Sequence, residues 1–214
     1  MKILVTGGDG RFAKEIGNYF IDHEMSLLGR KQMDVTDAQA VFREIDRFNP
    51  EMVIHTAALL RGSMVELNRA NVEGTINVVK ACESRSIKVV YISTDGVYGG
   101  NDCHKKAIDS PLLPDDLYSE SKMEGEIVVG AYSNSLIIRG AFCPNPYPYS
   151  DAFVNVFKNA IYQDDAAAVL CEALDRFGTL NVFGSKVISM YEFASQTMLV
   201  SKKTANRGMT VQLT

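Results

Sequence analysis

The segment TGGDGRFA, residues 6–13, decides the fold class, because this glycine-rich turn joins an apolar run to an amphipathic helical pattern. The run before it, Ile3-Leu4-Val5, is typical of a buried strand. Two glycine spacings fit a dinucleotide-binding turn, one beginning at Gly7 and one at Gly8. Such a turn lets the backbone approach a pyrophosphate at the positive end of a helix. The turn predicts a dinucleotide site rather than a plain connection, with contacts at Gly7, Gly10, Arg11, Phe12 and Ala13.

Apolar runs and helical patterns alternate from this turn to residue 139. Further strands are predicted at 26–28, 52–54, 88–93 and 136–138, and helices from 36, from 64 to 83 and from 118 to 129. This alternation indicates crossover units, and therefore an α/β fold: a Rossmann-type doubly wound parallel sheet with helices on both faces. Beyond residue 140 the chain becomes irregular, and a short strand is predicted at 180–182. This part is expected to form a small C-terminal lobe over the carboxyl edge of the sheet.

Composition and charge argue against several other classes of protein. The chain has 214 residues, a net charge of −4 and no block of like charges, so neither nucleic acid nor an anionic membrane is expected as a partner. No apolar run approaches the length of a membrane span, and the N-terminal run is too short for a signal peptide. The four cysteines are far apart in the sequence, which favours reduced thiols in a cytoplasmic protein and no zinc site.

The choice of coenzyme depends on the end of the second predicted strand. An NAD site usually has an acidic side chain there, which binds the ribose 2′-hydroxyl. The sequence at this place is Gly29-Arg30-Lys31, so no carboxylate is expected, and two cations could hold a 2′-phosphate. NADP(H) is therefore favoured, NAD(H) stays open, and Arg30 and Lys31 could instead be plain surface charges. Asp34 and Val35 follow in MDVTD, and Asp34 is better placed beneath the adenine than beside the ribose.

Several further motifs complete a family pattern. After TGGDGRFA come MDVTD at 33–37, HTAA at 55–58, NVEGT at 71–75, YISTDGVYGG at 91–100 and YSESKMEGE at 118–126, with weaker matches in IIRG at 137–140, YQDDAA at 162–167 and GTLNVFG at 178–184. With these motifs the chain resembles the extended short-chain dehydrogenase/reductases, and within them the dTDP-4-dehydrorhamnose reductase group. The resemblance is strong to about residue 140 and loose afterwards. It implies an NAD(P)-binding Rossmann domain over residues 1–140 and a reduced substrate-binding lobe over 141–214, packed on the first and not independent.

The resemblance implies an oxidoreductase that uses NADPH to reduce the 4-keto group of a nucleotide-linked deoxysugar. Thr94 would bind the substrate carbonyl oxygen, Tyr118 would protonate it, and Lys122 would hold the nicotinamide ribose and favour the phenolate. An unperturbed phenol has a pKa of about 10, which is too high for acid–base catalysis at neutral pH. A nearby cation is therefore expected to lower the pKa of the phenol towards neutral pH. Further contacts implied for the coenzyme are Ala57 and Ala58, and those for the substrate are Asp95 and Arg139.

Two departures from the family pattern leave other functions open. The segment 59–70 and the part after Lys122 are both short for that family. An NAD-retaining epimerase or dehydratase is one alternative, although Gly96 stands where dehydratases carry an acid after the Thr-Asp pair. A non-catalytic NADP-binding regulatory subunit is an alternative of another class. A homodimer through the Tyr118 helix rests on the resemblance alone, and no metal site is expected.

Overall fold

The computed structural model describes residues 1–99 and 107–204. In these ranges the strands are β1 (Lys2–Thr6), β2 (Glu24–Leu28), β3 (Met52–His55), β4 (Lys88–Ile92), β5 (Ser135–Arg139), β6 (Phe142–Cys143), β7 (Asp151–Phe153), β8 (Phe157–Lys158), β9 (Ile161–Tyr162), β10 (Gly178–Asn181), β11 (Ile188–Ser189) and β12 (Ser201–Lys203). Six of them form one parallel sheet in the order β10-β5-β4-β3-β1-β2. The chain reverses direction across the sheet between β1 and β3, which is where α/β sheets of this kind bind ligands.

The helices cover both faces of this sheet, which confirms the doubly wound α/β prediction. They are α1 (Arg11–Tyr19), α2 (Ala38–Phe48), α3 (Met64–Leu67), a π-helical segment (Asn68–Glu73), α4 (Gly74–Glu83), a 3-10 turn (Asp95–Tyr98), α5 (Leu117–Gly130), α6 (Gln163–Glu172) and α7 (Met190–Ala194). Helices α1 and α6 share one apolar cluster with Ile3 and Val5, and α2, α4 and α5 share another with Leu4. Successive strand residues therefore point to opposite layers, as the pleat requires.

Local chemistry explains where these helices begin and end. Helix α2 begins after Asp37, whose carboxylate accepts hydrogen bonds from the backbone amides of Gln39 (3.0 Å) and Ala40 (3.2 Å). It ends at Asn49, which adopts a left-handed conformation with φ of 50° directly before Pro50. The predicted helix over 64–83 is continuous, but its middle widens into the π-helical segment, a feature often found near functional sites.

The part of the chain after residue 140 differs from the prediction in one respect. The strand predicted at 180–182 is β10, and it pairs with β5 at the edge of the main sheet instead of lying in the small lobe. The physical reason is that β5 would otherwise expose an unpaired edge. Three two-stranded sheets, β6 with β9, β7 with β12 and β8 with β11, surround a separate apolar cluster that includes Tyr147, Tyr162 and Phe193. The domain boundary at residue 140 stays a prediction.

Lys88 ties the two halves of the chain together on the side opposite the glycine-rich turn. Its buried ammonium donates to the carbonyl oxygens of Leu174 (2.7 Å) and Arg176 (2.6 Å), just after α6. Within residues 1–99 and 107–204, no helix has the length and apolar character needed to cross a membrane.

Candidate active site

The glycine-rich turn after β1 forms a cradle that fits a dinucleotide pyrophosphate. Gly7 has a φ of +66°, and a Cβ atom there would lie 2.8 Å from the Cα of Ala57. Gly10 precedes α1 in an extended conformation, and no side chain caps the first amides of that helix. Unsatisfied amides at a helix N-terminus attract anions. The backbone here can therefore approach a phosphate closely and offer N–H donors to it.

The side chains of this turn divide between solvent and core. Arg11 is exposed, whereas Phe12 and Ala13 are buried. Phe12 stacks on Phe142 with ring centroids 5.0 Å apart, so only its backbone is available to a ligand at the turn. The hydroxyl of Thr6 accepts a hydrogen bond from the amide of Ala57 (3.1 Å) and holds the turn against the end of β3. Ala58, the next residue, is exposed.

Asp34 and Arg30 form an ion pair beside the end of β2. Arg30 Nε lies 3.0 Å from Asp34 Oδ2, and Asp34 Oδ1 accepts hydrogen bonds from the amide and hydroxyl of Thr36, each 2.9 Å away. Burial acts to raise the pKa of Asp34, but the Thr36 amide and the Arg30 guanidinium together lower it. Val35 is buried and its side chain packs against Gly74. Asp34 is thus engaged by Arg30, the cation predicted to hold a 2′-phosphate.

A second carboxylate lies at the end of β2, where the sequence predicted none. The amide of Gly8 donates to the carbonyl of Leu28 (2.9 Å), which folds the glycine-rich turn onto this strand. As a result, a Cβ atom on Gly29 would overlap the carboxylate of Asp9. The prediction of a site without an acid was wrong, because the acid comes from the turn rather than from the strand. We call Gly29 and the charged residues of this turn and strand end, Asp9, Arg11, Arg30, Lys31 and Asp34, the β2 end of the site.

At the other end of the site, α5 carries Tyr118 and Lys122 one turn apart. The carboxylate of Asp116 caps this helix by accepting hydrogen bonds from the amide (2.8 Å) and the hydroxyl (2.9 Å) of Ser119. A Cβ atom on Gly96 would overlap the hydroxyl of Ser119, so Gly96 permits the close approach of α5 to the loop after β4. That loop contains Thr94, whose hydroxyl accepts a hydrogen bond from the amide of Gly96 (3.1 Å). The structure therefore brings together the elements that carry Thr94, Tyr118 and Lys122.

The protonation of Tyr118 differs from the prediction. Burial raises the pKa of Tyr118, and the carboxylates of Asp116 and Asp95 raise it further. Lys122 is itself buried, with its ammonium 3.8 Å above the ring centroid of Tyr91, and burial lowers its pKa to about 7. The expected lowering of the phenol pKa by Lys122 is therefore not found. The phenol of Tyr118 is therefore protonated at neutral pH and is a weaker acid than a free phenol.

Beneath Lys122 lies a buried network of polar side chains. Asn71, in the π-helical segment, donates to the carbonyl of Leu59 (2.9 Å) and the hydroxyl of Ser121 (2.9 Å), and so connects the loop after β3 to α5. His55 is fully buried, and its ring nitrogens contact the hydroxyls of Thr6 (2.7 Å) and Thr75 (3.1 Å). Burial and the charge of Lys122 lower the pKa of His55 to about 3. His55 is thus a neutral internal residue.

Asp95 and Arg139, predicted to contact substrate, have partners within the protein. Asp95 Oδ2 accepts a hydrogen bond from Lys158 Nζ (2.8 Å), which links the loop after β4 to β8. The Arg139 guanidinium is buried and forms an ion pair with Glu126 of α5, with Nη2 2.7 Å from Oε2. It also donates to the hydroxyl of Tyr98 (2.8 Å). Arg139 therefore faces the interior, where it positions α5, rather than a substrate surface.

We call Thr94, Tyr118, Lys122 and the Glu126–Arg139 pair the α5 end of the site. Ser93 completes the pair by donating to Glu126 Oε1. Sequence reasoning assigned no role to Glu126, although the motif YSESKMEGE ends there, because its partner Arg139 is distant in the sequence. It also missed Lys158, which belongs to none of the quoted motifs. Among the residues the structure describes, no group of three or more histidine, cysteine, aspartate or glutamate side chains could hold a metal ion.

Comparison with known proteins gives three related findings. A family model described as the RmlD substrate binding domain matches residues 1–171. A dTDP-4-dehydrorhamnose reductase of Aggregatibacter actinomycetemcomitans is 24% identical over 225 residues, which cover 90% of this chain and 76% of that protein. Methionine adenosyltransferase 2 subunit beta of Pongo abelii is 28% identical over 142 residues, which cover 60% of this chain and 42% of that protein.

The fold can also be compared with a solved structure. The crystal structure of dTDP-4-dehydrorhamnose reductase from Bacillus anthracis str. Ames in complex with NADP superposes with a TM-score of 0.86. The sequence identity is 20%, and the match covers 95% of this chain and 84% of that chain. At this identity the likeness is one of fold, and it supports the Rossmann-type sheet described above.

Proposed function

The chain belongs to the RmlD substrate binding domain family, and from this premise we propose that it reduces the 4-keto group of a nucleotide-linked deoxysugar with NADPH. The observation that carries the proposal is the placement of Tyr118 and Lys122 on α5, which Gly96 allows to pack against the loop of Thr94. The relative from Aggregatibacter actinomycetemcomitans is named for a reaction of this kind.

The glycine-rich turn and α5 would bind different parts of the coenzyme. The amides at the start of α1 would hold the pyrophosphate, and Gly7 and Gly10 would let it approach the backbone. Ala57 and Ala58 would line the middle of the groove, and Lys122 would hold the ribose next to the nicotinamide. A bound reduced nicotinamide supplies the hydride for the reaction.

Tyr118 and Thr94 act on the substrate carbonyl oxygen. Tyr118 would donate its phenolic proton to this oxygen, because the alkoxide that forms as hydride arrives is a stronger base than the phenolate. The hydroxyl of Thr94 donates a second hydrogen bond and stabilises the charge that develops on the oxygen. Asp95, held by Lys158, keeps the loop after β4 in place rather than contacting the sugar.

Two observations bear on the alternative functions. A dehydratase would need an acid after the Thr-Asp pair, but a side chain at position 96 would overlap Ser119. The similarity to a protein named as a subunit of methionine adenosyltransferase keeps a non-catalytic role as the second candidate. A measurement of turnover distinguishes the non-catalytic role from the reductase activity.

The direct test measures NADPH oxidation by the pure protein with a panel of 4-keto sugar nucleotides. Tyr118→Phe should lower kcat by about two to four orders of magnitude, since it removes the acid catalyst. Tyr132→Phe is the matched control, because its phenol donates to the carbonyl of Ile87 (3.0 Å) just past the other end of α5. Tight NADPH binding without turnover on any sugar of the panel would contradict the reductase and favour the non-catalytic role.

The proposal extends to the assembly and location of the protein. Helix α5 and the start of α3 expose apolar side chains, with Ile127 68% and Val65 76% exposed. These surfaces would suit a homodimer, whose mass sedimentation equilibrium would give. The nucleotide-sugar substrate and the reduced coenzyme favour the cytoplasm, where the free thiols of Cys82, Cys143 and Cys171 would also stay reduced.

A further inference from the structure

The carboxylate of Asp9 occupies the position from which Rossmann-type proteins usually contact the adenosine ribose. That contact normally comes from an acid at the end of the second strand. Here the strand ends in Gly29, and the space beside its Cα is filled by the Asp9 carboxylate. The turn is held there because the amide of Gly8 donates to the carbonyl of Leu28 (2.9 Å). The acid is therefore supplied by the glycine-rich turn after β1 and not by β2.

The positive charge of the cations at the β2 end does not simply cancel the negative charge of Asp9. Arg30, the cation next to Gly29, is paired with Asp34 at 3.0 Å, and Asp34 is fixed in turn by two hydrogen bonds from Thr36. Arg11 and Lys31 are exposed. The charged side chains of this end are thus three cations and two carboxylates, all in contact with solvent.

Building on the proposed coenzyme site, we propose that Asp9 sets the selectivity between the two nicotinamide coenzymes. Its carboxylate accepts hydrogen bonds from the ribose hydroxyls of NADH and repels the 2′-phosphate of NADPH. Arg30 and Arg11 attract the same phosphate. The preference for NADPH is consequently small, and Asp9 is the residue that limits it.

The test uses two probes that differ only by the 2′-phosphate, AMP and adenosine 2′,5′-bisphosphate, with isothermal titration on the full chain. Asp9→Asn keeps the shape of the side chain and removes its charge. The affinity for the bisphosphate relative to AMP should rise about tenfold, as expected for removing one like charge within a few ångströms of a phosphate. The increase should shrink at high salt, because these side chains are exposed.

Glu24→Gln is the matched control, because it removes the same charge at the opposite end of β2. Glu24 is exposed and lies 3.5 Å from Lys2, five strand residues from Gly29. Its substitution should change the ratio by less than about twofold, since screened charges at that distance interact weakly. Asp9→Ala provides a second variant with the same expected direction.

Each outcome is decisive. A ratio that stays the same in both Asp9 variants, or that falls, overturns the role of Asp9 while leaving the reductase proposal intact. A wild-type protein that binds neither probe overturns the coenzyme site itself, and the role of Asp9 with it. A protein that binds both probes with the expected shift but reduces no sugar supports the selectivity and contradicts only the reductase.

Discussion

The two ends of the site hold charged side chains under opposite conditions. At the β2 end Asp9 and Arg11 are exposed, and the side chain of Arg30 is 81% exposed. At the α5 end Lys122 is 1% exposed and Arg139 6%. Water and salt screen the first set, whereas the second interacts in a medium of low polarizability. Charges at the β2 end can therefore tune binding, while those at the α5 end also determine whether the helix of Tyr118 is held in place.

The largest effect that this contrast predicts is at Glu126. Replacing it with alanine leaves the buried Arg139 guanidinium without its carboxylate partner, which typically costs about 3–5 kcal/mol of unfolding free energy. Urea unfolding measures this change. Catalysis should fall as well, because the ion pair connects β5 to the helix that carries Tyr118.

Two further variants make this prediction specific. Glu126→Leu combined with Arg139→Met should be far less destabilising than Glu126→Ala, since no unpaired charge remains buried. Glu83→Ala removes an exposed carboxylate from the end of α4 and should change stability by about 0.5 kcal/mol or less. If Glu126→Ala costs no more than Glu83→Ala, the buried pair does not stabilise the α5 end.

A smaller effect is expected from the titration of Lys122. Its pKa is lowered from 10.5 to about 7, so between these values the unfolded chain binds more protons than the folded one. The unfolding free energy contributed by Lys122 should therefore rise with pH from 7 to 9, by up to about 1 kcal/mol per pH unit. The measurement is urea unfolding at several pH values, with Lys122→Met lacking this part of the slope.

The exposed Lys80 supplies the control for this measurement, because Lys80→Met removes a cation of the same kind from the surface of α4. The slope of the unfolding free energy against pH in Lys80→Met should match that of the wild type. Identical slopes in Lys122→Met and the wild type would mean that the Lys122 ammonium remains solvated.

The smallest effect is expected at the β2 end. Arg30→Gln breaks the pair with Asp34, but exposed ion pairs contribute only about 0–1 kcal/mol. Thermal unfolding at low and high salt should show a small loss that disappears as salt increases. A loss well above about 1 kcal/mol would place Arg30 among the buried charges and remove the contrast between the two ends.

The same contrast explains how much the sequence could predict. The sheet and its helices follow from apolar periodicity, and the structure bears out the strand around Ile3–Val5 and the helix predicted from residue 36, which begins at Ala38. Family motifs identified Tyr118 and Lys122 as candidates. The carboxylate of Asp9 at the end of β2 was not predictable from strand position, because a turn from elsewhere in the chain brings it there. The short strands β6–β9 contain too few residues to leave an alternating pattern.

The burial of Lys122 could not be predicted from the sequence either, because it depends on tertiary packing. Its position one turn after Tyr118 places both on one helix, but its burial follows from Tyr91, whose ring lies under the ammonium. Burial depends on neighbours that are distant in sequence, so a motif alone predicts the charge and not its pKa. For the same reason the partner of Arg139 became visible only in the structure.

Strand β10 restricts how this chain can be divided. It comes from the C-terminal half yet completes the sheet beside β5, and Lys88 grips the carbonyls just after α6. A fragment that stops near residue 140 would keep the whole glycine-rich turn. It would leave the hydrogen-bonding edge of β5 unpaired and the Lys88 ammonium without its two carbonyl partners. Such an edge invites aggregation. The two halves should therefore be less soluble when each is expressed alone than when both are expressed together.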